Sequence, residues 1–226
     1  NNVDVEDSPL GRVTCRGSVR IFDWNGNDAV WSQRGDDVDG EEDHDFSGSS
    51  VALNGPGDVV AIGSPQTNAP YDHAKRGAVT VYEWKGSDWK KRGDRIEGEA
   101  DNDISGSTVV ISASGDTIAI GAYLNDGSSD NKGHVRVFDW DGNDWLKRGD
   151  DIDGENTYDY SGYSLAMSAD GNKLASGADG AAFEAGHVRV FGWQDSMETC
   201  DDDTNWKSNG ENGKDCGWGI LKPNKR

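Results

Sequence analysis

The chain has 226 residues, with 22 Lys and Arg against 42 Asp and Glu, which gives a net charge of −20. This acidic balance argues against nucleic acid and anionic membrane surfaces as partners, because both need a basic face. No apolar run approaches the roughly 18 to 20 residues of a membrane helix, so membrane insertion is not expected. A high net charge with few apolar residues is typical of disorder, but nine Trp and 31 Gly indicate an ordered protein with a thin core and many tight turns.

Two motifs recur along the chain and define an internal repeat. A six-residue motif that begins with Val and ends with Trp occurs four times, at 19–24, 79–84, 135–140 and 188–193. A second motif, from Arg-Gly-Asp to Ser-Gly, occurs three times, at 34–48, 92–106 and 148–162. After each copy of the second motif come two apolar runs joined by a Gly-containing turn.

Each repeat predicts four short strands, which we call a to d. Strand a is a run such as 50–53, strand b a run such as 59–63, and strand c the Val-to-Trp motif. Strand d follows a short turn, as at 140–145. β-Branched and aromatic runs bounded by Gly, Asn and Asp are typical of strands, and no helical periodicity is present. The repeat length suits one four-stranded blade of a β-propeller.

The sequence therefore predicts an all-β fold of four-stranded antiparallel propeller blades. The strands expected are c and d (19–38), then two full blades, then a, b and c (161–193). Propellers close with roughly four to eight blades, so one chain has too few for a closed ring. Unpaired strand edges invite pairing with another chain.

The repeats resemble the FG-GAP-type β-propeller repeats found in secreted proteins of marine microbes and stramenopile algae. The matching text, from about 17 to 193, is D-x-S-G-x-S-V-A, then A-I-G-A or A-I-G-S-P, then G-H-V-R-V-F-x-W. The Phe-Gly of the family reads Ser47-Gly48 in the first copy, and Ser-Gly in the other two. Integrin-like members of the family carry a calcium loop of alternating Asp and Asn between strands a and b, but the turn at 112–116 offers too few oxygen ligands for that site.

We expect three regions: a lead segment (1–17), the propeller repeats (18–194) and a tail module (195–226). The tail resembles a short Cys/Trp module of secreted stramenopile proteins. It has almost no aliphatic residues for a core, so we expect a disulfide-stapled tail that contains Cys200 and Cys216. These cysteines pair with each other, or one pairs with a third cysteine of the module and the other with Cys15 or another chain. Either pairing requires an oxidising compartment, and we expect a secreted or cell-surface protein.

Three Glu/Asp pairs, four residues apart, recur within the second motif, and they are the candidate metal ligands. They are Glu41 and Asp45, Glu99 and Asp103, and Glu155 and Asp159. Carboxylates at this spacing on a loop can converge on calcium. The alternative is that they accept backbone N–H groups in the turn between blades. No other cofactor is expected.

Other motifs have a structural and a functional interpretation. Arg-Gly-Asp in register with each blade favours a turn over integrin binding. The Trp pairs 24/31, 84/89 and 140/145 favour cross-strand core pairs over a sugar-binding platform. The four His show no ligand or triad spacing, so the sequence predicts no catalytic residues and a protein that is not an enzyme.

The leading hypothesis is an extracellular structural or adhesive protein. Its propeller repeats would assemble with other copies, or with other extracellular structural proteins, into a surface structure or filament. An algal flagellar hair or wall layer is the setting that the resemblance implies. The alternative is a lectin-like propeller that binds glycans through exposed Trp.

Overall fold

The computed structural model describes residues 15–67, 75–126, 130–180, 186–193 and 219–220. These residues form strands and turns, so the described part contains no helix that could cross a membrane. The strands build small antiparallel sheets that follow one another in chain order. The prediction of an all-β protein made of propeller blades is confirmed.

In the described part of the chain, the first unit consists of strands c and d, and each is split in two. Strand c is β1 (Ser18–Val19) and β2 (Phe22–Asn25), and strand d is β3 (Val30–Gln33) and β4 (Val38–Asp39). β1 pairs with β4, and β2 pairs with β3. Among the described residues, strand c of this unit has no strand b beside it and pairs only with strand d. The turn at 34–37 interrupts strand d, and strand c is split at the same place.

The second and third units are full blades with the strand order a-b-c-d. The second contains β5 (Ser50–Leu53), β6 (Val59–Ser64), β7 (Ala78–Trp84), β8 (Trp89–Lys91) and β9 (Ile96–Glu97). The third contains β10 (Thr108–Ile111), β11 (Thr117–Ala122), β12 (His134–Trp140), β13 (Trp145–Lys147) and β14 (Ile152–Asp153). In both units strand d is divided into two short strands, and both pair with strand c. The division falls at the Arg-Gly-Asp turn, where Gly93 of the second unit has a φ of +78°.

The fourth unit contains four strands, one more than the sequence predicted. They are β15 (Ser164–Met167), β16 (Lys173–Ala178), β17 (His187–Gly192) and β18 (Gly219–Ile220). β18 pairs antiparallel with β17 in the position of strand d. It falls inside the range 195–226, so a piece of the predicted tail completes the last blade.

The apolar core lies between the units. We call the face of a unit that packs on the preceding unit its front face, and the face that packs on the following unit its back face. Val79 and Val81, on the back face of the second unit, pack with Ile118 and Ile120 on the front face of the third. The same pairing of a back face with a front face joins the first unit to the second and the third to the fourth. Each blade therefore depends on its neighbours for burial.

Candidate functional site

The two ends of this series of blades expose faces that are buried in its middle. On the back face, Val135 of the third unit is 0% exposed, whereas Val188 at the same position of the fourth unit is 68% exposed. On the front face, Trp145 of the third unit is 7% exposed, whereas Trp31 at the same position of the first unit is 62% exposed. Apolar surface of this kind, ordered by strands, is typical of an interaction site.

The leading face is the front face of the first unit, and it consists of Arg20, Phe22, Trp24 and Trp31. All four side chains are exposed. Trp24 and Trp31 lie directly opposite each other on β2 and β3, with ring centroids 5.3 Å apart. The pairs in the next two units have nearly the same geometry, at 5.4 Å. The predicted cross-strand pairing is therefore present, and in the first unit the pair faces solvent.

A mostly apolar groove of about 500 Å³ adjoins the leading face. Val51 and Leu53 of strand β5 line it and are half exposed, at 53% and 50%. At the same position of the third unit, Val109 is buried against strand b of the unit before it. The groove thus lies where strands a and b of the first unit would pack.

The trailing face is the back face of the fourth unit, and it consists of Ala166, Ala175, Gly177, Val188 and Val190. Val188 and Val190 occupy the repeat positions of Val135 and Val137, which are buried in the third unit. Gly177 lies on β16 opposite Ser164. A Cβ at Gly177 would meet the Ser164 hydroxyl oxygen at 2.3 Å, with nothing else closer than 3.6 Å.

The glycine at this position has a clear role in the two preceding blades. A Cβ on Gly63 would lie 2.0 Å from the carbonyl oxygen of Gly106, in the next unit. A Cβ on Gly121 would lie 2.3 Å from the carbonyl oxygen of Gly162, also in the next unit. Glycine is needed there because the backbone of the following blade approaches closely.

The Arg of each Arg-Gly-Asp motif joins two blades. Arg92 donates to the carbonyl oxygen of Gly115 in the next unit at 2.9 Å, and its guanidinium lies 4.7 Å from the Trp140 ring centroid. The indole of Trp145 donates back to the carbonyl oxygen of Arg92 at 2.7 Å. Arg34 and Arg148 make the same bond to the a–b turn of the next unit. The motif is therefore a structural turn, and its Arg stacks on a Trp of the following blade.

The aspartates of the predicted calcium pairs are buried acceptors of backbone N–H groups. Asp45 accepts from the amides of Glu41 and Glu42, at 3.2 and 3.0 Å. Asp159 accepts from the amides of Glu155 and Asn156, at 2.9 and 2.7 Å.

The middle pair follows the same pattern. Asp103 accepts from the Ala100 amide at 2.9 Å and from the Asn125 side chain at 3.0 Å. The glutamates point to other groups: Glu41 pairs with Lys91 at 2.5 Å, and Glu99 and Glu155 face Arg136 and Arg189 at 3.6 and 3.7 Å. This geometry favours the structural interpretation of the pairs, and calcium binding stays a prediction.

Glu99, His134 and Asp151 bring potential ligand atoms within 4.8 Å of one another. Sequence reasoning missed this cluster, because its members come from two blades. Asp151 is paired with Lys147 at 2.6 Å, and Glu99 faces Arg136, so both carboxylates already have cationic partners. His134 is almost fully buried, and this burial lowers its pKa to about 4. The cluster is a charge-balanced network with a neutral imidazole inside it.

A second cleft, of about 540 Å³, lies between the starts of the a strands and the loops that follow the b strands. Tyr123 and Tyr163 line it with ring centroids 5.2 Å apart, and Gln66 and Lys75 add polar groups. Tyr163 is exposed, and burial raises the pKa of Tyr123. The sequence repeats did not mark this cleft, because Tyr163 lies directly after the second motif, at a variable position where the other copies have Ser, and Tyr123 directly follows the A-I-G-A run.

The predicted disulfide residues Cys200 and Cys216 lie outside the described residues. Cys15, at the start of the described part, is a half-buried free thiol.

Solved structures that are similar to this chain include the following three. A candidate 6-phosphogluconolactonase from Bacteroides uniformis has a TM-score of 0.55 and 10% identity, over 83% of this chain and 49% of that one. Hydrazine synthase from Kuenenia stuttgartiensis has a TM-score of 0.46 and 12% identity, over 76% of this chain and 40% of that one. The tricorn protease has a TM-score of 0.39 and 13% identity, over 78% of this chain and 17% of that one. No protein-family model and no curated protein matches the sequence.

The likeness to the Bacteroides protein shows a propeller-type fold, and this chain spans about half the length of that protein. The expectation that the chain is not an enzyme is corrected here, because that protein is named for an enzyme activity. The same type of fold therefore serves an enzyme, and the fold gives no ground for excluding one. At 10% identity, the likeness assigns no reaction to this chain.

Proposed function

We propose that this chain is an extracellular structural or adhesive protein whose blades assemble into a larger surface structure or filament. The observation that carries the proposal is the exposure, at both ends, of faces that are buried between the inner blades. A single blade cannot bury both faces by itself, so each end face requires a neighbouring blade.

The edge of the first unit supports the same proposal. Among the described residues, β1 and β2 pair with strand d alone, whereas β7, at the same position of the second unit, also pairs with strand b from Ala78 to Glu83. Unpaired backbone N–H and C=O groups on an edge strand favour pairing with a further strand. A neighbouring chain would supply both the missing strands and the missing blade face.

The extracellular setting rests on the FG-GAP-type resemblance of the repeats. The chain contains D-x-S-G before strand a, A-I-G in strand b and V-R-V-F in strand c, in consecutive copies. Within the proposal, these repeats belong to the secreted form of that family.

Immunogold electron microscopy of cells that make the protein tests this function. The proposal expects label on the wall or on surface filaments. Label confined to the cell interior would contradict it. Mapping of Cys15, Cys200 and Cys216 by mass spectrometry without reduction adds a second test, since three free thiols would also argue against an extracellular setting.

Carbohydrate binding is a second candidate function, and the tyrosine-lined cleft favours it. Tyr163 exposes an aromatic ring beside Gln66 and Lys75, which is a combination of a stacking surface with hydrogen-bonding groups. The Trp pairs of the second and third units are poorer candidates, because Trp89 and Trp145 are buried, whereas both Trp side chains of the first unit are exposed.

A glycan array tests this candidate with the native chain, the Tyr163→Ala variant and a control. The control is Tyr158→Ala, which removes an exposed tyrosine that does not line the cleft. Glycan binding that is lost only in Tyr163→Ala supports the cleft, and a silent array for the native chain removes the candidate.

A further inference from the structure

We propose that Tyr123 and Tyr163 are a site of oxidative cross-linking, at which a carbon–carbon bond between the two rings joins the third unit to the fourth. The product is a dityrosine within one chain, and the oxidant is a peroxide used by a haem peroxidase. This modification goes beyond the proposed function and does not require it.

Four of the six tyrosines form one row of ring contacts where the third unit meets the fourth. The ring centroids of Tyr123 and Tyr163 are 5.2 Å apart, in an edge-to-face contact at 70°. Tyr160 lies 6.2 Å from Tyr123, and Tyr158 lies 6.3 Å from Tyr160. The closest of these contacts joins the two units, since Tyr123 directly follows β11 and Tyr163 directly precedes β15.

The blade fold does not require a tyrosine at either position of this pair. Where the fourth unit has Tyr163, the two preceding units have Ser49 and Ser107. Tyr123 corresponds to Pro65 of the second unit. The pair equivalent to Tyr123 and Tyr163 at the preceding junction is therefore Pro65 and Ser107, which carry no aromatic ring and cannot couple.

The loop before β15 shows the same departure from the repeat. Tyr158 has a φ of +61°, and its counterparts His44 and Asn102 have φ values of +69° and +71°. Asn and His tolerate this left-handed region better than a bulky ring does. The turn therefore does not explain the tyrosine, whereas the row of ring contacts gives it a role.

Gly180 makes room for the row. A Cβ at Gly180 would lie 2.1 Å from Cδ2 of the Tyr160 ring. The two preceding units have Gln66 and Leu124 at this position. Because Gly180 has no side chain, the Tyr160 ring fits there and stays in contact with Tyr123.

The backbone also holds the pair in place. The Thr108 hydroxyl of the third unit donates to the carbonyl oxygen of Tyr163 at 2.9 Å. Tyr163 is thus tied to the third unit before any covalent bond forms. Two groups that are held close together react far faster than the same groups free in solution.

Exposure gives the oxidant access to one member of the pair. Tyr163 is 51% exposed, whereas Tyr123 is half-buried beside it. The peroxidase takes one electron and the phenolic proton from Tyr163. The resulting radical takes an electron from Tyr123 across the ring contact, the protons exchange with the open cleft, and Tyr163 is then oxidised a second time.

The two phenoxyl radicals couple through the ring carbons next to their hydroxyl groups. A bond forms between one Cε atom of each ring, and each Cε hydrogen moves to the phenolic oxygen, which restores both phenols. In total, two tyrosines lose two hydrogen atoms, and one hydrogen peroxide is reduced to two water molecules. No other co-reactant is needed.

Treatment of the native chain with a haem peroxidase and hydrogen peroxide tests the site. Mass spectrometry after proteolysis should find one main cross-linked pair of peptides, which joins Tyr123 to Tyr163. The product should migrate as a single chain in denaturing electrophoresis. The two residues are 40 positions apart, so the bond restricts the unfolded chain and should raise the thermal midpoint by about 5 °C or more.

Conservative variants separate the reaction from packing. Tyr123→Phe and Tyr163→Phe keep the rings but remove one phenol each, and each should lower dityrosine fluorescence by about tenfold or more. Tyr158→Phe is the matched control, because it removes an exposed phenol outside the pair, and it should keep the native yield. Circular dichroism before oxidation should be the same in all four proteins.

Several results would overturn the proposal. Coupling of Tyr123 to Tyr160, or full fluorescence in Tyr163→Phe, overturns the assigned pair. Cross-links mainly between chains overturn a bond within one chain, and an unchanged thermal midpoint overturns a bond that staples two units. In protein isolated from its source cells the same cross-linked peptides are expected, and free Tyr123 and Tyr163 there overturn a native modification. Surface labelling of cells decides the proposed function separately.

Discussion

The inner blades and the end blades use the same residues in opposite environments. Val135 and Val188 come from one repeat position, as do Trp145 and Trp31, yet the first of each pair is buried and the second is exposed. The local strand geometry is unchanged, because the Trp pairs keep the same spacing in every unit that contains one. The motif thus encodes an interface between blades, and its burial depends on whether a neighbour is present.

This comparison predicts that equivalent substitutions have very different effects at inner and end positions. All stability measurements below use the Val188→Asp background, so that assembly does not contribute to the free energy of unfolding. Each pair of variants differs only in the blade that carries the change.

The largest difference is expected between Trp145→Ala and Trp31→Ala. Trp145 is packed in the core between two blades and donates a hydrogen bond to Arg92. Its loss should lower the free energy of unfolding by about 3–5 kcal/mol. Trp31→Ala should change it by less than about 1 kcal/mol. Urea denaturation measures both, and equal losses would show that the leading face is not an open surface.

A pH-dependent effect of similar size is expected from His134. Burial lowers its pKa to about 4, below the unfolded value of about 6.5. Between these values the unfolded chain binds a proton that the folded chain does not, so stability falls as the pH drops from about 6.5 to about 4. The loss amounts to roughly 3 kcal/mol at most and does not grow below that range.

The variant His134→Ala tests this effect, since Ala78 occupies the same repeat position in the second blade. Urea denaturation at several pH values should show a flatter dependence between pH about 4 and about 6.5 than in the parent. His187→Ala, at the same position of the fourth blade, controls for loss of an imidazole at the start of strand c. An unchanged slope in His134→Ala would contradict the assignment.

A smaller difference is expected between Gly121→Ala and Gly177→Ala. A Cβ at Gly121 would meet a backbone carbonyl oxygen of the next blade at 2.3 Å, which has little room to move. The cost should be about 2 kcal/mol. At Gly177 only the Ser164 hydroxyl is close, and it can rotate away. Thermal unfolding compares the two, and an equal loss of stability would place a blade over Gly177 within the monomer.

The smallest difference is expected between Arg92→Gln and Arg20→Gln. Arg92 donates to the Gly115 carbonyl and stacks on Trp140, so its replacement should cost roughly 1–2 kcal/mol. Arg20 is exposed, and its replacement should stay within about 0.5 kcal/mol. The measurement is the midpoint of urea denaturation, compared between variant and parent when both transitions have the same m-value. A loss in Arg20→Gln as large as that in Arg92→Gln would contradict an open leading face.

Much of the blade architecture could be predicted from the repeats, because period-two runs and Gly turns specify strands locally. The cross-strand Trp pairs and the structural role of Arg-Gly-Asp are examples. The fourth strand of the last blade could not be predicted, since it consists of only Gly219 and Ile220, of which Gly has little strand propensity, and its partner β17 lies far away along the chain.

The features that depend on contacts between blades were also beyond the sequence. Glu99 and His134 are 35 positions apart and meet only because one blade stacks on the next. The burial of Asp45 results from the turn that it caps and from Thr67, whose hydroxyl donates to it at 3.0 Å. Local patterns identify such residues as recurring, but the tertiary contact determines what each of them does.

The most direct measurement of the central claim is electron microscopy of the native particle in solution. The end faces are proposed to be covered by blades of neighbouring chains, so the account predicts rings or filaments that contain more than one chain. Isolated open arcs, each of one chain with free ends, would contradict it.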